Sequence, residues 1–127
     1  MTTNAPDGWT VVCRFSDLTP ERGVAALIDG RQIALFLLHD GSVHAVDHRD
    51  PFTGANVIAR GIVGTRTIDG RETPTVASPL HKQVFDLTTG RSFDEPQRSL
   101  TVHATRVDAG LVEVRLGLRA VAESVPA

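Results

Sequence analysis

The chain has 127 residues, a formal net charge of −2 and 41% hydrophobic residues. That length and composition predict one domain with a core that needs no disulfide bond, and the single cysteine, Cys13, could not form one within the chain. Lysines and arginines are scattered, which argues against binding to nucleic acid or to an anionic membrane. Residues 1–8 lack the apolar region of a signal peptide, and the longest apolar run, residues 33–38, is too short to span a bilayer. We therefore expect a cytoplasmic protein.

Strands dominate the first half of the chain. Residues 9–15 are predicted as a strand, and residues 18–23 as one helical turn with Thr19 as its N-cap. Asp-Gly dipeptides at 29–30, 40–41 and 69–70 suit type I′ hairpin turns, because both central residues of such turns need positive φ. Residues 33–38 are apolar throughout, so this strand is expected to be covered on both faces.

The second half predicts a loop-rich region followed by a closing hairpin. Prolines and glycines punctuate residues 47–90, where two loops, 47–54 and 78–84, are expected to emerge. Residues 100–105 and 112–116 alternate apolar and polar side chains, as half-buried strands do. The prediction is an all-β, antiparallel sandwich or barrel carrying a loop-rich subdomain. We expect residues 1–8 to be disordered, residues 9–117 to form the domain and residues 118–127 to form a flexible tail.

The two loops match the positions of a Rieske iron–sulfur site, which binds a [2Fe–2S] cluster through Cys-x-His and Cys-x-x-His. In the first loop Asp50 stands at the cysteine position and Phe52 at the histidine position. In the second loop Ser78 stands at the cysteine position, and only His81 keeps the ligand type. Serine and aspartate are poor ligands for a soft iron–sulfur core, and phenylalanine cannot ligate. We expect a Rieske-like fold without a cluster.

The chain resembles the small subunit of the assimilatory NAD(P)H-dependent nitrite reductase over residues 9–117. The most specific stretches are Asp50-Pro51-Phe52, residues 59–64 and residues 77–90, whereas Arg91-Ser92-Phe93 departs from the family. The resemblance implies a large-subunit partner that carries FAD, an iron–sulfur cluster and siroheme and reduces nitrite to ammonium. It also implies that this chain binds and supports that subunit with no catalytic or cofactor-binding residue of its own.

Other chemistry has weaker support in the sequence. His44 and His48, with Asp47 and Asp50, could form a mononuclear metal site, although surface polar residues are the better interpretation. Ser78 has no nucleophile elbow around it, and Pro79 removes the next backbone N–H. Gly-rich phosphate-binding motifs are absent from the sequence, so the chain is not expected to bind FAD or NAD(P)H.

Two hypotheses explain how the loops manage without a cluster. Apolar packing by Phe52, Leu80 and Phe85, with the neighbouring prolines, could fill the vacated volume. Alternatively, Phe52 and Leu80 stay partly exposed and dock into the large subunit. The candidate partner interface consists of Pro51, Phe52, Pro79, Leu80, His81 and Lys82. The alternative functions are a Rieske-type ferredoxin that carries electrons and a free-standing protein-binding module.

Overall fold

The computed structural model describes residues 3–4 and 8–117. Its strands are β1 (Thr3–Asn4), β2 (Trp9–Arg14), β3 (Val24–Ile28), β4 (Arg31–Leu37), β5 (Val43–Asp47), β6 (Ile62–Ile68), β7 (Arg71–Ala77), β8 (Val84–Asp86), β9 (Val102–Asp108) and β10 (Leu111–Arg115). Two short 3-10 helices cover Phe15–Asp17 and Ile58–Arg60. Within these described residues, no helix has the length and apolar character needed to cross a membrane.

The strands form two antiparallel sheets. The larger sheet has the order β1-β2-β10-β9-β5-β4-β3, and the smaller sheet has the order β6-β7-β8. The smaller sheet and both loops are inserted between β5 and β9, so the predicted all-β fold with a loop-rich subdomain is confirmed. Thr3–Asn4 pairs with β2, and residues 1–2 and 5–7 of the predicted disordered start lie outside the described residues. The predicted tail, residues 118–127, lies outside the described residues.

Strand β4 supplies side chains to two hydrophobic cores, one on each face. Ala34 and Phe36 are buried in the core that reaches into the inserted subdomain, whereas Ile33, Leu35 and Leu37 are buried in the core of the larger sheet. Successive side chains of a strand point to opposite faces, so an uninterrupted apolar run is what two cores require. The expectation that this strand is covered on both faces is confirmed.

The Asp-Gly dipeptides do not all form the predicted turn. Asp29-Gly30 and Asp69-Gly70 have positive φ at both residues, as type I′ requires. At Asp40-Gly41 only the glycine has positive φ, at 88°. The N–H of Gly41 donates to the carbonyl of Leu38, which makes a three-residue connection with the glycine in the left-handed position. The prediction of a type I′ turn at residues 40–41 was wrong.

The helical turn predicted for residues 18–23 is also absent from the described structure. The turn forms three residues earlier, over Phe15–Asp17, where the carboxylate of Asp17 accepts a hydrogen bond from the N–H of Arg14. The segment around Pro20 and Glu21 pairs with the end of β4 instead, where the N–H of Glu21 donates to the carbonyl of Leu37 over 2.6 Å. Pairing with a strand end therefore outweighs the local helix signal of Thr19 and Pro20.

Candidate functional site

The two inserted loops, residues 48–57 and 78–83, each close through their own backbone. In the first loop the N–H of Asp50 donates to Ala55 O over 2.8 Å, and the N–H of Gly54 donates to Asp50 O over 2.7 Å. In the second loop the N–H of Ser78 donates to Gln83 O over 2.9 Å. These bonds fix the shape of each loop separately. We call residues 50–54 and 78–82 together the tip.

A buried side-chain hydrogen bond joins the two loops through Asp50 and Ser78, the residues that the sequence predicts at the cysteine positions of a Rieske site. The hydroxyl of Ser78 donates to Oδ2 of Asp50 over 2.6 Å, although the residues are 28 positions apart. Asp50 is 0% exposed and Ser78 is 1% exposed. Oδ1 of Asp50 accepts a second bond, from the N–H of Phe52, over 2.8 Å. A buried polar contact thus connects the two loops.

Phe52 and His81, which the sequence places at the histidine positions of a Rieske site, have different surroundings. Phe52 is half-buried against the core, with its ring 6.0 Å from that of Phe85 in a tilted arrangement. The guanidinium of Arg98 lies over the Phe52 ring, 5.5 Å from its centroid. His81 is exposed, and Leu80 is 47% exposed. Phe52 therefore packs as the first hypothesis expected, whereas Leu80 presents an apolar side chain to solvent as the second expected.

The donor set at the tip does not fit a [2Fe–2S] cluster. A Rieske cluster needs two thiolates and two imidazoles, and the tip offers one imidazole, which is exposed. The two cysteine positions hold oxygen donors that are already bonded to each other. The single cysteine, Cys13, lies in β2 opposite Val112 of β10. Partial burial and, to a smaller extent, the negative charge of Asp17 raise the pKa of its thiol. Within the described ranges, no group of three or more residues of ligand type converges.

The metal site considered for His44, Asp47, His48 and Asp50 does not form in the described structure. Their side chains bind separate partners: His44 contacts Ser42 at 3.1 Å, and His48 accepts a hydrogen bond from the N–H of Ala59 at Nδ1. The interpretation as surface polar residues was also wrong for His48 and Asp50, because both are buried.

Asp47 belongs to a hydrogen-bond network that the sequence did not reveal. Its Oδ1 accepts hydrogen bonds from Nε2 of His103 over 2.8 Å and from Arg31 over 3.2 Å. Arg31 also donates to Gly117 O, and the N–H of Gly117 donates to Nδ1 of His103. Burial raises the pKa of Asp47, but the bonds from His103 and Arg31 outweigh burial and hold that pKa below its usual value. The partners are 56 residues apart, and no local pattern marks them.

Because His48 is buried, we expect the domain to lose stability in mild acid. Burial, and then the nearby charge of Arg60, lowers the pKa of His48 below its usual value. The unfolded chain takes up this proton near pH 6.5, whereas the folded chain does so only at lower pH. The unfolded state binds more protons within that window, so the free energy of unfolding falls as the pH falls below about 6.5.

Chemical unfolding of the wild type and of His48→Asn at pH 7.5, 6.5 and 5.5 checks this expectation. Asparagine keeps an acceptor for the N–H of Ala59 but does not titrate, so the dependence on pH is expected to shrink. His39→Asn changes an exposed histidine and serves as the control. An unchanged slope in His48→Asn would assign the effect to another group.

Comparison with known proteins connects this geometry to a family. The model of the Rieske-like [2Fe-2S] domain matches residues 8–115. The nitrite reductase (NADH) small subunit of Escherichia coli K12 is 35% identical over 108 residues, which cover 84% of this chain and 96% of that protein. The NMR structure of Escherichia coli NirD has a TM-score of 0.76 and 34% identity, covering 93% of this chain and 100% of that one.

A third relative is much longer than this chain. It is the nitrite reductase [NAD(P)H] large subunit of Klebsiella oxytoca, which is 35% identical over 106 residues. The match covers 84% of this chain but only 11% of that protein. These matches confirm the resemblance that the sequence suggested. The chain belongs to the Rieske-like [2Fe-2S] domain family and, within it, to the group of nitrite reductase small subunits.

Proposed function

We propose that this chain is the non-catalytic small subunit of a cytoplasmic NAD(P)H-dependent nitrite reductase. It binds and supports a large subunit that reduces nitrite to ammonium in nitrate assimilation. The observation that carries the proposal is the relationship to the Escherichia coli small subunit over 96% of that protein. In this proposal residues 9–117 are the working domain, and the chain holds no cofactor. FAD, an iron–sulfur cluster and siroheme belong to the large subunit.

The relative from Klebsiella oxytoca supports the choice of partner. In that protein a domain similar to this chain is part of the polypeptide named as the large subunit. A covalent connection keeps such a domain at high effective concentration beside the rest of the protein. A separate chain must reach the same arrangement through a non-covalent interface.

The tip is the surface that we assign to this interface. Its candidate contacts are Pro51, Phe52, Pro79, Leu80, His81 and Lys82. The last four are exposed, and Phe52 supports them from a half-buried position. Because the Asp50–Ser78 bond already fixes the two loops relative to each other, docking orders little additional chain. A preorganised surface loses less conformational entropy on binding than a flexible one.

Reconstitution with the large subunit of the same organism tests the function. We expect the two chains to co-purify. We also expect nitrite-dependent oxidation of NAD(P)H to be faster with this chain than without it. The isolated chain is expected to contain no iron or acid-labile sulfide. Stoichiometric iron and sulfide with [2Fe–2S] absorption would contradict the proposal and favour an electron carrier.

Leu80→Asp is expected to weaken binding of the large subunit by about tenfold or more without unfolding the chain. An exposed apolar side chain on a rigid loop is suited to be an interface anchor, and a charge there would be desolvated on docking. Val107→Asp is the matched control, because Val107 in β9 is 46% exposed, as compared with 47% for Leu80. Surface plasmon resonance measures both affinities. Equal losses in the two variants would exclude the tip as the interface.

A further inference from the structure

A groove of about 450 Å³ lies beside the tip and is lined by three arginines from separate segments. Arg31 begins β4, Arg49 precedes the tip in the first loop, and Arg98 lies in the connection before β9. The remaining polar lining includes Asn56, Gln97 and Ser99. A cavity of this size accommodates one or more side chains of a binding partner. The chain as a whole has a net charge of −2, so this cluster is a local exception.

The charges in the groove are only partly neutralised. Asp47 is the one acidic residue among the described lining residues, and it is already bonded to Arg31 and His103. Arg98 pairs with Glu95 over 3.0 Å, but both side chains are about half exposed. Such surface pairs contribute little and exchange readily for a better partner. Arg49 makes no salt bridge with any residue that the structure describes.

The groove is continuous with the tip. Pro51, which lines the groove, directly follows Asp50, whose carboxylate is bonded to Ser78 of the second loop. The guanidinium of Arg98 lies over the ring of Phe52. A partner that covers Pro51 and Phe52 of the tip would therefore also reach the groove.

We infer that this groove binds carboxylate side chains of an acidic segment on the large subunit, next to the apolar contact at the tip. The inference rests on the proposed function and specifies the chemistry of the partner surface. Arginine binds carboxylates through a planar pair of N–H donors, and the amides and hydroxyl nearby supply further polar contacts. Arg31 positions the floor of the groove, since its terminal nitrogens already bond Asp47 and Gly117 O. Arg49 and Arg98 are the residues that engage the partner.

Binding of the large subunit to immobilised wild-type chain, Arg49→Gln and Arg71→Gln tests this inference. We expect Arg49→Gln to raise the Kd by about tenfold in low salt, as for the loss of a close interfacial charge pair. Arg71, at the start of β7, is exposed and does not line the groove, so its variant is expected to change the Kd less than about twofold. The difference between the variants is expected to disappear near 1 M salt, where the Debye length is about 3 Å.

Three outcomes of that experiment are distinct. A selective loss in Arg49→Gln supports the inference. Equal binding by all three proteins overturns the inference and leaves the proposed function intact. Failure of the wild type to bind the large subunit overturns the proposed function, and the inference with it.

A titration without the large subunit separates a peptide site from a small-anion site. We expect a hexaglutamate peptide to shift the NMR amide signals of Arg49, Asn56 and Ser99, and Arg49→Gln to abolish those shifts. Inorganic phosphate, added so that its concentration equals that of the peptide's carboxylates, is expected to leave the signals in place. If phosphate alone reproduced the shifts, the groove would be a small-anion site and the inference would be wrong.

Discussion

Gly90→Ala is expected to remove most of the stability of this domain, with a loss of more than about 4 kcal/mol. Gly90 has φ +80°, and a Cβ built on it would lie 2.0 Å from the carbonyl oxygen of Leu100. The backbone of Leu100 cannot easily move away from Gly90, because the N–H of Leu100 donates to Gly90 O over 2.8 Å. Leu100 is itself 4% exposed within the core that reaches into the subdomain.

Gly70→Ala separates the clash from the cost of the backbone conformation. Gly70 has φ +78° in the turn between β6 and β7, and its Cβ would meet nothing within 4 Å. Alanine there is expected to cost only about 1–2 kcal/mol, the penalty for a left-handed L-residue. Denaturant unfolding followed by fluorescence of the single tryptophan, Trp9, measures both variants. Similar losses would show that the backbone around Leu100 moves aside.

The sequence predicted the features of this fold that depend on neighbouring residues. Residues 100–105 and 112–116 overlap β9 and β10, although the alternation did not predict that His103 would be buried and Ala104 exposed. The apolar run of residues 33–38 corresponds to a strand between two cores. These patterns are readable because strand faces repeat every two residues. The turn at residues 40–41 was misassigned because Asp-Gly also fits a three-residue connection with positive φ only at the glycine.

The candidate site was predictable only through the family resemblance, and then only in part. The resemblance predicts that Asp50 and Ser78 stand at the cysteine positions of a Rieske site, but it did not indicate that their side chains bond each other. It also could not decide between packing and docking. In the structure the Phe52 ring packs beside the Phe85 ring, whereas Leu80 is 47% exposed. The contact of Asp50 with Ser78 spans 28 residues and that of Asp47 with His103 spans 56 residues. Such contacts depend on how the sheets pack, which no local sequence pattern indicates.

Ser78→Ala is expected to lower the free energy of unfolding by about 2–3 kcal/mol, well above the effect of an ordinary surface change. The Asp50 carboxyl group is fully buried, and without the Ser78 hydroxyl its Oδ2 would lose the bond observed at 2.6 Å. A buried charged group that loses a partner costs more than the average hydrogen bond contributes. Because this bond joins the two loops, the tip is expected to loosen before the larger sheet unfolds.

Ser42→Ala is a close control for this experiment. Ser42 donates to Oδ1 of Asp40 over the same 2.6 Å and also contacts His44 at 3.1 Å, but it is only half-buried and Asp40 is exposed, so water can replace the hydroxyl. Its loss is expected to stay within about 0.5 kcal/mol. Hydrogen exchange of the amides of the non-proline residues in 50–54 and 78–82 then locates the effect, with faster exchange expected in Ser78→Ala alone. If Ser78→Ala were as stable as Ser42→Ala, with unchanged exchange, apolar packing by Phe52 would be sufficient to hold the loops together.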